Sequence, residues 1–338
     1  MSDELPPLPP LFVARLAAIA PPEELANCLA SFAAVKPTAV RLNPFTRPTA
    51  DSYAALIAQG FRLTPVAWLT DVYLVEPEQR RALTESADFY AGHIYLQNLS
   101  SLSAAPALAP ESGETVLDLA AAPGGKTLQL AAVIGPTGRL AAVEPIADRF
   151  YKLKATLQRH GAPWVETYRV DGRAAGRRWP EVFDRVLLDA PCSSEARFDR
   201  HNPLSWAYWS LRKIKETAHK QRGLLLAALY SLKPGGTLVY STCSFAPEEN
   251  EAVVSDVLRR VGEKVAIRPI DLPWPHVQPG LTHWQTQTYH PDLRHAVRIL
   301  PDAVQDGFFL CRLVKRESLL TPAPARARRA GVPSRGRG

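Results

Sequence analysis

The sequence has no C-x-x-C pair and no histidine spacing of the kind that holds zinc; its four cysteines, Cys28, Cys192, Cys243 and Cys311, are scattered. Disulfides are not expected, and no metal site is read. No apolar run approaches membrane-spanning length, and the apolar stretch Leu11 to Ala20 follows Asp3 and Glu4 rather than a basic region. A soluble cytoplasmic protein with no membrane partner is expected. There is no internal repeat. Two glycine signatures are missing as well. G-x-G-x-x-G does not occur, which leaves a dinucleotide dehydrogenase unsupported. The G-K-T at 125–127 lacks the glycine that a phosphate loop needs at position 120, where Ala120 stands.

What is present is a globular composition over 338 residues, 46% hydrophobic and 22% charged, enough for a large core and a smaller companion domain. The formal charge is +7, but Thr321 to Gly338 holds Arg326, Arg328, Arg329, Arg335 and Arg337 with no acid, so five of the seven net charges sit there. The body is nearly neutral. The tail reads as a disordered basic arm, and both a solubilising role and contact with phosphates fit it.

Along the chain, residues 5–36 carry two amphipathic helical patterns, about Leu11 to Ile19 and Glu23 to Ala34, divided by Pro21-Pro22. A strand from Thr38 to Leu42, a helical stretch Ser52 to Ala58 and two short β-prone runs complete a small α+β unit. From residue 114 strands alternate with helices: Thr115 to Leu119, Arg139 to Val143, Val165 to Val170, Phe183 to Leu188, Thr237 to Tyr240 and Phe308 to Val314 are the strand candidates. The clearest helices are Ala147 to Arg159 and Trp209 to Leu232. This pattern predicts an α/β fold, a doubly wound and largely parallel sheet of about seven strands. The domains read as 1–94 (N-terminal α+β, substrate side), 95–317 (main domain) and 318–338 (basic tail).

The organising stretch is Thr115 to Thr127, a strand, a Pro-Gly-Gly turn and a helix start, the place where open α/β sheets hold small anionic ligands. With triphosphate and dinucleotide readings set aside, a ligand with one small anionic group and a ribose remains, and S-adenosylmethionine fits. Its amino-acid end would meet the loop Ala120, Ala121, Ala122, Pro123, Gly124, Gly125 and Lys126, its ribose Glu144, and its adenine Asp171. Each acid taken alone is more often a cap or turn former. Three at successive strand ends point to a ligand.

Two further strand ends carry cysteine, in D-A-P-C-S at 189–193 and S-T-C-S-F at 241–245, and neighbouring strands would bring Cys192 and Cys243 together. A buried inert thiol is the plain reading of a lone cysteine, and it suits Cys28 and Cys311. Two at the functional edge suggest covalent catalysis. Carbon 5 of cytosine is too weak a nucleophile to take a methyl group directly, but a thiolate adding to carbon 6 makes it one. Asp189 would hydrogen-bond the polar edge of a base that must be unstacked to be reached.

These segments, L-D-L-A-A-A-P-G-G-K-T, D-A-P-C-S and L-V-Y-S-T-C-S-F-A-P-E-E-N-E, resemble the cofactor, proline-cysteine and threonine-cysteine motifs of the RsmB-like (Nop/Sun) family of RNA 5-methylcytosine methyltransferases. D-G-F-F-L-C-R-L at 306–313 and T-A-V-R-L-N-P at 38–44 resemble its final strand and its N-terminal region, so the likeness covers about residues 36–315. The resemblance implies a class I methyltransferase-like Rossmann sheet with S-adenosyl-L-methionine as cofactor and RNA, rRNA or tRNA, as partner. It implies Cys243 as nucleophile, Cys192 assisting breakdown of the adduct, Asp189 orienting the cytosine while also belonging to the cofactor set, and Lys126 near the reacting centre. The chain departs from many relatives at Ser194-Glu195-Ala196, where G-E-G is common, and at Asn98, where an acid is common. No appended RNA-binding domain is read at either end, and a monomer is expected.

Arg197 to Arg222 holds seven basic residues against Asp199 and Glu216, interleaved with Phe198, Trp206, Tyr208 and Trp209. Arg197 and Arg200, with Arg41 from the N-terminal unit, are the expected RNA contacts, whereas Trp209 reads better as core. Two other functions stay open: a DNA cytosine methyltransferase attacking through Cys192, and an RNA-binding assembly protein without turnover.

Overall fold

The computed structural model of the chain describes residues 5–271 and 277–320. The arginines of the tail lie outside the described residues. Two helices, α1 (Pro10–Ile19) and α2 (Pro22–Ser31), each begin on a proline, whose fixed φ suits a first helical turn. The N-terminal unit then forms an antiparallel sheet from β1 (Thr38–Leu42), β2 (Thr64–Pro65), β3 (Val72–Val75) and β4 (Ile94–Gln97), in the order β2-β3-β1-β4. Three helices, α3 (Thr49–Ala58), α4 (Arg80–Thr84) and α5 (Ala87–Tyr90), connect these strands. Val40, Leu42, Leu56, Val75, Leu83 and Ile94 make their core.

A short helix, α6 (Ala104–Leu108), leads into the main sheet. There β5 (Thr115–Asp118), β6 (Arg139–Val143), β7 (Glu166–Tyr168), β8 (Phe183–Asp189) and β9 (Leu232–Thr242) run parallel. Between them lie α7 (Gly125–Ile134), α8 (Ala147–Arg159), α9 (Ala175–Arg178) and α10 (Leu211–Ser231). Beyond β9 come α11 (Glu251–Val261), β10 (Val265–Arg268), β11 (Val277–Pro279), a ribbon of β12 (His283–Trp284) and β13 (Gln287–Thr288), β14 (Val297–Ile299) and β15 (Phe308–Lys315).

The order of the main sheet is β11-β14-β15-β9-β8-β5-β6-β7, with β10 also on β15. It therefore has nine strands rather than about seven. The three missed in the sequence, β10, β11 and β14, are three or four residues long, too short for their alternation to stand out. Lys233 to Gly236, read as the stop after the long helix, bulges from β9, since Phe183 pairs with Leu232 and Arg185 with Thr237.

Successive side chains of each strand go to opposite layers. Leu117, Ala141, Val186 and Leu238 pack with α10 and α11, while Val116, Leu140, Leu187 and Val239 pack with α6 and α7. Both faces are covered, as a parallel sheet requires. Of the anticipated buried face of α10, Ile214, Ala218, Leu225, Ala228 and Leu229 are buried on it, while Leu232, also expected there, opens β9. The chain runs outward from β5 to β7 and then returns to β8 on the other side of β5, so the strand order reverses between β5 and β8. Ligands in such sheets bind at the carboxyl ends of the strands beside that reversal. Among the described residues no helix is long and apolar enough to cross a membrane.

Candidate active site

A cleft of about 750 Å³ opens at that reversal. Its walls include Ala120, Ala121, Ala122, Pro123, Gly125, Lys126, Glu144, Asp171, Asp189, Cys192, Arg197 and Cys243, so nearly all the anticipated site residues converge. Gly124 does not line it. It holds the turn at φ +115°, and a Cβ there would meet Leu153 and Thr156 of α8 instead. Gly125 is the glycine that faces the cleft wall, where a Cβ would lie 2.6 Å from Tyr95 Cε1 and 3.0 Å from Gln97 Oε1.

At the end of β5, Asp118 is buried, and its Oδ2 accepts from Thr127 Oγ1 at 2.7 Å. Burial raises its pKa to about 6, against the pull of the Thr127 hydroxyl and the Lys126 charge. Asp118 Oδ1 and Gln97 Oε1 are buried cleft atoms without a hydrogen-bond partner in the structure. Glu144 accepts from the Ile146 amide at 3.0 Å and faces Arg149 at 3.3 Å, and Arg149 also donates to the Ala122 carbonyl at 2.9 Å. Asp171 is gripped by Arg173, whose hydrogen bonds hold its carboxyl below the usual range.

Strand pairing builds the other half. Asp189 lies opposite Ser241 in the β8–β9 register, and Ser241 Oγ donates to Asp189 Oδ1 at 2.9 Å. Lys126 Nζ donates to Asp189 Oδ2 at 2.7 Å and to Ser101 Oγ. Just past these strands Cys192 and Cys243 meet, with Sγ to Sγ 3.2 Å. The Cys192 hydrogen bond lowers the Cys243 pKa to about 7, with the nearby Arg197 charge acting in the same direction and burial opposing both. Cys192 moves the other way, held well above its ordinary value by the same hydrogen bond and by burial. One sulfur is thus biased toward thiolate and its neighbour toward thiol.

Two glutamates that the sequence did not single out as site residues set this geometry. Glu249 accepts from the Ser193 amide at 2.9 Å, from the Ser193 hydroxyl and from Ser244 Oγ at 2.6 Å, so it ties together the residues that follow each cysteine. Glu195 accepts from the Phe245 and Ala246 amides, each at 2.8 Å, and from Trp209 Nε1 at 2.8 Å. Burial raises both acids, Glu249 to about 7. Ser194, the first residue of the Ser194-Glu195-Ala196 departure, has φ +59°, the left-handed region that a side chain disfavours. Asn98, the other departure, donates to Asp306 Oδ2.

The basic residues divide. Arg197 stands in the cleft beside the thiols. Arg41, expected at RNA, is buried instead: it donates to the Gly125 carbonyl at 3.0 Å and lies over the Tyr95 ring, and desolvation lowers its pKa to about 10. Arg200 is also engaged internally, donating to the carbonyls of Leu5 at 2.6 Å and Pro6 at 2.9 Å. Cys28 and Cys311 are buried in the core, away from the cleft. Among the described residues no cluster of His, Cys, Asp and Glu could hold a metal ion.

Residues 105–314 match the family model of the 16S rRNA methyltransferase RsmB/F, and residues 8–99 match that of the N-terminal domain of 16S rRNA methyltransferase RsmF. Ribosomal RNA small subunit methyltransferase F of Serratia proteamaculans is 32% identical over 92% of this chain, and that of Salmonella paratyphi B is 35% identical over 84%. The chain spans 64% and 58% of the lengths of these two relatives. A methyltransferase homolog protein from Pyrococcus horikoshii is 30% identical with a TM-score of 0.75, over 91% of this chain and all of that one. NSun6 of the same organism, crystallised with SFG, shares the fold at 20% identity and a TM-score of 0.75, over 92% of this chain and 99% of that one.

Proposed function

The chain belongs to the RsmB/F family of 16S rRNA methyltransferases, and from that premise we propose that it transfers a methyl group from S-adenosylmethionine to carbon 5 of a cytosine in RNA, through a covalent adduct with Cys243. Small-subunit rRNA is the favoured substrate, after the names of the relatives, with tRNA behind it. The observation that carries the reading is the pair of cysteine sulfurs 3.2 Å apart in the cleft, with Arg197 beside them. Residues 1–94 are assigned to the substrate side and 95–317 to the catalytic unit.

The donor set of the cleft suits the cofactor. Gln97 Oε1 and Asp118 Oδ1 are acceptors in need of a donor, Glu144 is a carboxylate for ribose hydroxyls, and Gly125, with no side chain, lets the loop pack directly against Tyr95 and Gln97. When bound, S-adenosylmethionine supplies an electrophilic methyl group.

The protein side of the reaction follows from the two sulfurs. Cys243 as thiolate adds to carbon 6 of an unstacked cytosine, and the ring electrons move to carbon 5, which takes the methyl group as its bond to the donor's sulfur breaks. The carbon 5 proton then leaves, the ring double bond re-forms, and Cys243 departs as thiolate. While Cys243 is ionised, Cys192 keeps its proton. Once the Cys243 sulfur is bonded to carbon its charge is gone and the chief cause of the raised Cys192 pKa goes with it, so Cys192 gives up its own proton to solvent and, as thiolate, takes the carbon 5 proton in the elimination. Asp189, fixed by Lys126 and Ser241, is assigned to the polar edge of the base, and Arg197 to holding Cys243 ionised.

The test is incubation of purified protein with S-adenosylmethionine and total RNA, followed by base-resolution sequencing for 5-methylcytosine. Product on DNA alone would sink the RNA assignment. Cys243→Ala is expected to abolish transfer and covalent RNA capture, and Cys192→Ala to prolong capture. The reverse pattern would exchange the two roles.

A further inference from the structure

The segment between Phe198 and Ser210 takes no part in the chemistry proposed above, yet it leaves two large apolar side chains in solvent, Leu204 at 79% and Tyr208 at 90% exposure. It is held firmly. Pro203–Trp206 forms a tight turn, the Trp209 amide donates to the Trp206 carbonyl at 3.0 Å, and Ser210 caps α10 by accepting from the Lys213 amide at 3.1 Å. The rings of Trp206 and Trp209 lie 5.9 and 6.2 Å from that of Phe198. Trp209 Nε1 ends on Glu195, the same carboxylate that accepts from the Phe245 and Ala246 amides just past Cys243. The exposed tip and the Cys243 loop therefore share one anchor.

The charge around the tip is predominantly positive. Arg212 is paired with Glu216, and the Asp199 carboxylate accepts from the His201 amide. Lys213 and Lys220 are exposed, with no acidic partner in the structure, and stand seven residues apart on one face of α10, about 10 Å along the axis. Lys220 also lines the cleft. An aromatic side chain offered to solvent on a rigid turn, followed by unpaired lysines that lead into the cleft, is the arrangement that binds single-stranded nucleic acid, with bases stacked on the ring and phosphates on the cations. The excess of cations favours a polyanion over an apolar protein surface.

We propose that Tyr208, with Leu204 and the Lys213–Lys220 face of α10, seats the single-stranded RNA that flanks the reacting cytosine. This rests on the reading of RNA as the substrate. The test measures binding of the full chain to a fluorescent single-stranded oligouridine containing one cytosine, by anisotropy over a range of salt concentrations. Tyr208→Ala is expected to weaken binding about tenfold, as loss of one stacked base does, and Tyr208→Phe to restore it. Lys213→Ala should flatten the salt dependence by about 0.7 in slope, the share of one phosphate contact on a single strand. Tyr90→Ala, removing a tyrosine 64% exposed on the N-terminal unit, should change nothing.

Equal binding by the parent and Tyr208→Ala, or equal losses in Tyr208→Ala and Tyr90→Ala, would overturn the inference, as would failure of the parent to bind the oligonucleotide. Capture of a protein partner lost in Tyr208→Ala, with RNA binding unchanged, would also overturn it. Methyl transfer by the parent is scored on the same RNA. Transfer without a Tyr208 effect removes this surface and leaves the function standing, whereas a Tyr208 effect without transfer to any RNA does the opposite.

Discussion

At the scale of the residue, what matters is that two chemically identical side chains are made unequal by what surrounds them. Cys243 shares a hydrogen bond with Cys192 and has Arg197 nearby, and its pKa is lowered to about 7. The reactive form is the thiolate, so the rate at which iodoacetamide alkylates Cys243 should fall as the pH is lowered through about 7. Arg197→Gln removes a cation that favours the thiolate and should move the midpoint upward by about one unit. Peptide mapping of the alkylated protein across pH measures both, and a midpoint unchanged in Arg197→Gln would show that the Cys192 hydrogen bond suffices. Both cysteines were legible in the sequence because each follows a strand that ends at the same edge. Glu195 and Glu249 were not, since nothing in a glutamate's sequence context says that it will be buried and accept several donors. Arg41 and Arg200 misled for the related reason that a cation near a motif can serve backbone carbonyls as readily as phosphates.

At the scale of the element, the decisive join is that of β5 to α7. Gly125 opens the helix with its Cα against Tyr95 and Gln97 of β4, so the N-terminal sheet forms part of the wall of the cofactor loop. Gly125→Ala should leave the fold intact and weaken S-adenosylmethionine binding about tenfold or more, because the added methyl displaces Tyr95 and Gln97 at an overpacking cost of about 1–3 kcal/mol. Titration calorimetry checks this, and unchanged affinity would place the cofactor elsewhere. The strands β5 to β9 and the long helix α10 were readable from period and punctuation. The short strands after α11 were not, because each is fixed by its pairing, β10 and β14 on β15 and β11 on β14, rather than by local pattern.

At the scale of the whole molecule, the sequence suggested a companion domain of its own beside a catalytic one, and the contacts tie them together. Arg41 reaches the Gly125 carbonyl at 3.0 Å, and Asn43 Nδ2 donates to the Gly92 carbonyl at 2.7 Å and to the carbonyl of His160, just past α8, at 3.0 Å. A single cooperative thermal transition is therefore expected. Arg41→Ala should lower its midpoint, with a loss of about 1.5–3 kcal/mol for a charged hydrogen bond that is buried. Calorimetry showing the N-terminal sheet melting separately, ahead of the rest, would contradict this. Such coupling was hidden in the sequence, where Arg41 reads as an RNA contact and the partners of Arg41 and Asn43 lie 84 and 117 positions away.

The position of β15 bears on how the molecule is made. This strand enters the sheet between β9 and β14, pairing with Thr237 to Thr242 along the edge that carries Cys243 at its end. A ribosome adds about 5–20 residues per second, so on the order of tens of seconds of synthesis precede Phe308. Over the later part of that interval β9 presents a bare, apolar edge, with Leu238 and Tyr240 already in place on one face. The sheet cannot close from the N-terminal end as it emerges. The edge of β9 that leads to Cys243 is therefore paired only after β15 has been made.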